Sequence, residues 1–378
     1  MVLMSGPQRR EGTPFPFAGP VPPDLLIDRG DELRRLGRRA GDRVNVRLAA
    51  PRRFGKTSLL LAHAAQLRET GWRAAHVDLS GVADLMDVSR RIAVAYGQLD
   101  VGWMRAQLAG LLARLGVSVS AAGPALTLAA RPAGADTAAA ETALQRLLDL
   151  PLRLHERDGT STLIVFDEFQ ELLVARKDLD GLLRSYIQYH GDAAAYVFAG
   201  SEPSLMRELF ETRERPFFGQ ADPLELGRLP VQETVGDLAD RFAAEDLDPG
   251  AALGELVAFA AGHPQRTMLL AYLLAERLSE GQDATPALAE AVVGDALART
   301  AAAHEALWQE LDASARTVLA AVADGVAPTS RRLAADHRVS RGALDAAARR
   351  LAEQGHLERR PRDARLVDPL LAEWLRRR

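Results

Sequence analysis

Short alternating or continuously apolar runs separated by longer helical periodicities organise the first two thirds of the chain. Val44 to Ala49 alternates and predicts a strand, and a helix over Thr57 to Thr70 follows, closed by Gly71. Trp72 to Leu79 predicts a second strand and Leu85 to Tyr96 a helix. Leu163 to Phe166 and Ala195 to Ala199 are continuous apolar runs, as expected of strands buried on both faces of a parallel sheet, and Leu224 to Leu229 is a candidate fifth strand. Between them, Leu108 to Leu115 reads as helical, Val117 to Ala135 as a hairpin around Gly123-Pro124, and Glu141 to Arg157 as a helix broken or kinked at Pro151. Residues 27–42 form a short amphipathic helix ahead of the first strand. Strands separated by helices predict a doubly wound α/β domain.

After Pro249 the pattern changes. Ala251 to Ala261, Gln265 to Leu278 and Pro286 to Leu311 carry helical periodicity and no strand. Beyond Asp312, Ser330 to Ala335 reads as a short helix. Ser340 caps a second helix over Arg341 to Gln354, with Leu344, Ala348 and Leu351 inward and Gly355 at its end. Leu357 to Arg359 and Arg365 to Val367 then flank Arg360-Pro361-Arg362-Asp363 as a small wing. This is a helix-turn-helix pattern.

Composition refines the picture at three points. No cysteine occurs, which excludes disulfides and thiolate metal sites and suits a cytoplasmic setting. No apolar run reaches the roughly 18 residues of a membrane span. Residues 1–24, rich in Pro and Gly at the start, read as a flexible arm. The net charge of −4 argues against a chain that coats nucleic acid over its whole surface, yet Arg331 to Arg378 holds 13 arginines against seven acidic residues. That basic end suits a polyanion or an acidic partner. The only lysines are Lys56 and Lys177, in a chain otherwise cationic through arginine. An ammonium is a compact point charge where a guanidinium is a wide planar fork, and Lys56 sits where a phosphate loop needs the former.

Pro51-Arg52-Arg53-Phe54-Gly55-Lys56-Thr57-Ser58 follows a predicted strand and opens a predicted helix. Unpaired N–H groups and the dipole at a helix start attract phosphate. Gly55 lets the backbone approach a phosphate oxygen, Lys56 reaches the β- and γ-phosphates, and Thr57 offers its hydroxyl to Mg²⁺. Ala50 stands where the motif's first Gly belongs, and its Cβ disfavours positive φ. The strand Thr162 to Phe166 ends in Asp167-Glu168. Chemistry gathers at such carboxyl ends, Asp167 as a Mg²⁺ ligand and Glu168 as the base that deprotonates water. Ser201, after the next apolar strand, either touches the γ-phosphate or the water, or caps the following helix.

In combination these residues resemble the archaeal-type ATPases of the STAND and AAA+ branch of P-loop proteins. The resemblance rests on Pro51 to Leu60, the acidic strand with Phe169-Gln170 behind it, and Phe198-Ala199-Gly200-Ser201. It also rests on Ile27-Asp28-Arg29 with Glu32-Leu33, Gly262-His263-Pro264, and Asp368-Pro369-Leu370 with Trp374-Leu375, and it covers about 25–378. It implies a parallel sheet of order 5-1-4-3-2 in an ATPase domain over 25–248, a helical lid over 249–311 and a winged helix over 312–378. It implies ATP and Mg²⁺, with His263 as the lid residue near the phosphates; helix capping is the alternative role. Gln220 stands where the family usually shows Arg, leaving Arg213, Arg215 and Arg228 as candidate substitutes.

Three functions fit: an ATP hydrolase acting on double-stranded DNA, a DNA-binding regulator that hydrolyses slowly, and a signalling module that uses ATP to form homo-oligomers or bind protein partners. In the first two the second helix of 312–378 enters a major groove while wing arginines touch phosphates. In the third that module packs on protein.

Overall fold

Five parallel strands carry the α/β part of the chain: β1 (Val46–Ala49), β2 (Arg73–Asp78), β3 (Thr162–Asp167), β4 (Ala194–Gly200) and β5 (Asp222–Glu225). In this computed structural model they lie in the order β5-β1-β4-β3-β2, the predicted order. The described residues are 13–99, 108, 110, 117–120, 127–130, 137–359 and 363–378. Residues 1–12 of the expected arm, most of Leu108 to Leu115, the Gly123-Pro124 turn and Arg360 to Arg362 lie outside them.

The registers set the strand ends level. Ala49 pairs with Gly200, Phe166 with Phe198, and Asp78 with Asp167. β3 and β4 are buried along their whole length, which is why they contain no polar alternation. β5 differs from the expectation of Leu224 to Leu229. It starts at Asp222 opposite Val46 and ends at Glu225 opposite Ala49. It is an edge strand with only Leu224 buried, so it tolerates Pro223 and carries no readable apolar pattern. Leu229 instead donates its N–H to Gly262 O.

The predicted hairpin is present as Val117–Ser120 paired antiparallel with Thr127–Ala130. The helix expected over Glu141 to Arg157 is two, Thr137–Leu148 and Leu150–Asp158. The break falls at Asp149, not Pro151, because proline in a first turn lacks only an N–H that would be unpaired anyway.

By its contacts the chain divides into two units, residues 30–50 with 59–226, and residues 13–29 with 51–58 and 227–378. The first holds the sheet. Phe166, Phe169, Phe198, Phe210 and Phe217 stack within its core. The second is helical, with one core under Val231–Ala244, Gly250–Ala260, Pro264–Ser279 and Pro286–Glu310. Phe15 is buried in that core against Phe242, ring centroids 4.5 Å apart. Arg29, buried, donates to Gly227 O at 2.8 Å.

A further core joins helices Ala313–Ala323, Arg331–Asp336, Arg341–Glu353 and Pro369–Arg376 with the hairpin Leu357–Arg359/Ala364–Leu366. Asp312, Ser330, Ser340 and Asp368 cap the four helices with their side chains. No helix among the described residues is long and apolar enough to cross a membrane.

Candidate active site

The loop Pro51 to Gly55 leaves the carboxyl end of β1 and enters the helix Lys56–Glu69, which has no acidic residue in its first turn. Its left-handed positions are Arg53 (φ 68°) and Gly55 (φ 87°). Ala50 adopts no positive φ, so the Cβ in place of the motif's first Gly meets no backbone strain. Ala50 is buried and donates its N–H to Gly200 O at 3.4 Å. Lys56 is 6% exposed, and its Nζ reaches Pro51 O at 3.4 Å. Ser58 Oγ accepts from Val21 N–H at 2.8 Å, which ties the helix start to the docked N-terminal segment.

Phe54 packs this loop within the helical unit. The Phe54 ring meets His263 edge-on at 5.1 Å, and the Arg228 guanidinium lies 5.7 Å from its centroid. His263 caps the helix Pro264–Ser279, its Nδ1 accepting from Arg266 N–H at 3.3 Å. Burial first, then the Arg266 and Arg228 guanidiniums, push its imidazole down to about 4 against the pull of Asp368, so it is a neutral acceptor near pH 7.

Gly262, at φ 73°, lets the cap approach closely: a Cβ there would stand 2.4 Å from Leu229 O. Arg228 donates to Glu358 at 2.9 Å, Ala261 O at 3.0 Å, Leu366 O at 3.3 Å and Val367 O at 3.0 Å. Arg266 holds Asp368 through Nε at 2.9 Å and through a second, closer contact. His304 stands 3.6 Å from the same carboxylate, too long for a full hydrogen bond, so Arg266 carries that tie. Burial and the Arg266 and Arg52 guanidiniums hold Arg53 below its ordinary value, with Asp368 acting against them.

The carboxylates sit in the sheet unit. Asp167 is 4% exposed at the end of β3. Its Oδ1 accepts from Glu168 N–H at 3.1 Å, and its Oδ2 lies 3.4 Å from His76 Nε2 on β2. Glu168 is left-handed (φ 53°), an uncommon state for a residue with a Cβ. Phe169 behind it is fully buried among Phe198, Phe210 and Phe217, which pins the chain at that turn.

Three donors converge on Glu168 Oε2: Ser201 N–H at 3.0 Å, Ser201 Oγ at 2.6 Å and Gln170 Nε2 at 2.7 Å. Ser201 is thus not the helix cap. The helix Pro203–Glu211 has Glu202 at that position and no side-chain cap.

The structure gathers Asp167, Glu168 and Ser201 in the sheet unit, and Pro51 to Ser58 with His263 in the helical unit. Gln170, Arg266 and Asp368 are polar partners to which motif reading assigned no role of their own, and Arg228, a candidate substitute for the Arg at position 220, is the fourth. Among the candidate substitutes for an Arg at position 220, Arg228 is held as above, Arg215 contacts Glu208, and Gln220 itself accepts from Arg184 at 2.7 Å.

A strand, a loop carrying Gly55 and a helix that opens with Lys56-Thr57, in a chain whose parallel sheet runs 5-1-4-3-2, make a P-loop AAA+-like fold, and solved structures share it. A Walker-type ATPase of Pyrococcus abyssi matches with a TM-score of 0.68 at 19% identity, over 96% of this chain and 100% of that one. The ORC2 protein of Aeropyrum pernix, in its ADPNP–ADP complexes, matches with a TM-score of 0.63 at 16% identity over 96% of each chain. The ORC1 protein of A. pernix in complex with DNA gives 0.50 at 16%, over 94% of this chain and 93% of that one. No protein-family model and no curated protein matches the sequence.

Proposed function

We propose that the chain is a cytoplasmic ATP-binding protein and slow ATPase that acts as a nucleotide-dependent switch. The observation that carries this is the loop after β1. Left-handed Arg53 and Gly55 turn it into the start of a 14-residue helix whose first residues are Lys56 and Thr57, as phosphate binding requires. The arginines Arg52 and Arg53 in the loop suit a polyphosphate.

Pro51 to Ser58 hold the phosphates through backbone N–H groups and the Lys56 ammonium, and His263 reports on the loop through Phe54. Thr57 and Asp167 supply hard oxygen donors of the kind Mg²⁺ takes alongside phosphate and water. Bound Mg²⁺ supplies charge neutralisation at the phosphates. Glu168, anchored through Oε2, offers Oε1 to the attacking water as general base.

The proposed organisation is an ATPase domain over 25–248, a helical lid over 249–311 and a winged helix over 312–378 that contacts double-stranded DNA. The DNA-bound neighbour of the same fold and the arginine excess support the last step. A protein-binding, oligomer-forming module is the second reading. Asp345 favours it by pairing with Arg349 at 2.8 Å and Arg359 at 3.0 Å, which neutralises part of the face that would meet phosphate.

The test is ATP turnover with and without duplex DNA. Lys56→Ala loses nucleotide affinity and turnover together. Glu168→Gln keeps ATP affinity while turnover falls about 100-fold or more. Equal turnover in wild type and both variants sinks the reading. Salt-dependent duplex binding that weakens in Arg341→Glu/Arg349→Glu supports the DNA arm, and its absence at low salt favours the protein-partner reading.

A further inference from the structure

Gln170 has no part in the mechanism above, yet its placement is specific. The side chain is 3% exposed. Its Nε2 donates at 2.7 Å to the Glu168 oxygen that also takes both Ser201 donors. Its Oε1 is buried with no hydrogen-bond partner among the described residues. That oxygen lies where a Cβ on Gly200 would stand 2.5 Å away. Reversing the amide would not repair this, because it would turn the oxygen on a carboxylate and leave the NH₂ without an acceptor. Buried acceptors without partners are rare, and Glu168, two residues earlier, holds a left-handed backbone. Unfavourable features so close together persist where the surroundings over-determine a geometry.

We propose that Gln170 is a positioning residue for Glu168. With Ser201 it fixes the carboxylate through a single oxygen, so that Oε1 faces the reacting water, and Gly200 is the gap that admits the amide. This rests on the ATPase reading. Gln170→Leu keeps most of the bulk and removes the donor. It lowers kcat about 10-fold or more with KM for ATP within about twofold, since small misplacements of a reacting group are expensive and Gln170 is not assigned to the nucleotide. Gln170→Glu, which sets a second carboxylate against Glu168, lowers kcat further.

Two readouts need no nucleotide. In Gln170→Leu the Ser201 amide exchanges its hydrogen about 10-fold faster, and in Glu168→Ala the side-chain NH₂ resonances of Gln170 move. Should Gln170→Leu fail to melt cooperatively, Gln170→Met carries the same comparison. Unchanged kcat in Gln170→Leu where wild-type turnover depends on Lys56, or unchanged Ser201 exchange, overturns the proposal. Absence of Lys56-dependent turnover with faster Ser201 exchange overturns the ATPase reading instead and leaves the anchoring of Glu168 standing.

Discussion

The polar clusters of the two units are built on opposite plans. In the sheet unit, Glu168 is held by uncharged donors from Gln170 and Ser201, on its own turn and on the next strand. In the helical unit, arginines are held by groups more than 100 residues away, Arg228 by Glu358 and Arg266 by Asp368. Uncharged donors set an orientation and leave the charge on Glu168 available for chemistry. Ion pairs between distant segments make a tie that a competing anion can exchange. The first plan suits a group held in one orientation, and the second a tie between segments far apart in the sequence. Each prediction below separates the two plans.

The largest effect is expected at Asp368. Arg266 is 4% exposed and Asp368 21% as side chains. Asp368→Ala leaves a buried guanidinium unpaired and removes the cap of the helix Pro369–Arg376, which should cost about 3–4 kcal/mol by urea unfolding. Burial opposes the Asp368 charge, but the Arg266 fork outweighs it and holds the carboxyl well below the usual carboxylate range. A folded value below the unfolded value of about 3.9 gives stability that is present above that pH and is lost as pH falls below it. The gap between wild type and variant should therefore narrow below about pH 4. A constant gap would show that the charge contributes nothing.

Next comes a matched pair of glycines, one in each cluster. A Cβ on Gly262 would meet the Leu229 carbonyl, a backbone atom, at 2.4 Å and at φ 73°. A Cβ on Gly200 would meet the ends of Gln170 and Met206 at 2.5 Å, side chains that can move, and Gly200 has no positive φ. Gly262→Ala should lose about 2–3 kcal/mol of stability, and Gly200→Ala about 1 kcal/mol. Turnover should order the other way, because displaced Gln170 releases Glu168. Thermal melts and kcat on the same two proteins check both halves.

The sequence showed the sheet best where both faces are buried: the apolar runs of β3 and β4 and the acids at the end of β3 were readable directly. It showed β5 poorly, because four edge residues around Pro223 have no periodicity. Short helices are expected from Asp312 onward, but the bounds of Ala313–Ala323 are not readable, because its alanine-rich stretch has little contrast between faces. At the site, Gly55-Lys56-Thr57 and Asp167-Glu168 are local motifs. The donors on Glu168 depend on how β3 and β4 end beside each other. The ties at Arg228 and Arg266 span 130 and 102 residues. Nothing local specifies them.

The smallest effect tests whether the loop and the carboxylate respond separately. Phe54 is 2% exposed, with His263 at its edge and Arg228 over its ring. Phe54→Leu keeps the apolar burial and removes the ring contacts, a loss of about 1 kcal/mol. ATP affinity should fall a few fold, because the loop loses its support from the helical unit, while Ser201 amide exchange stays at the wild-type rate. Gly200→Ala should do the reverse, with faster Ser201 exchange and unchanged ATP affinity. If both substitutions move both readouts equally, the clusters act as one network. If each moves only its own, uncharged anchoring and charged tying are independent devices in one chain.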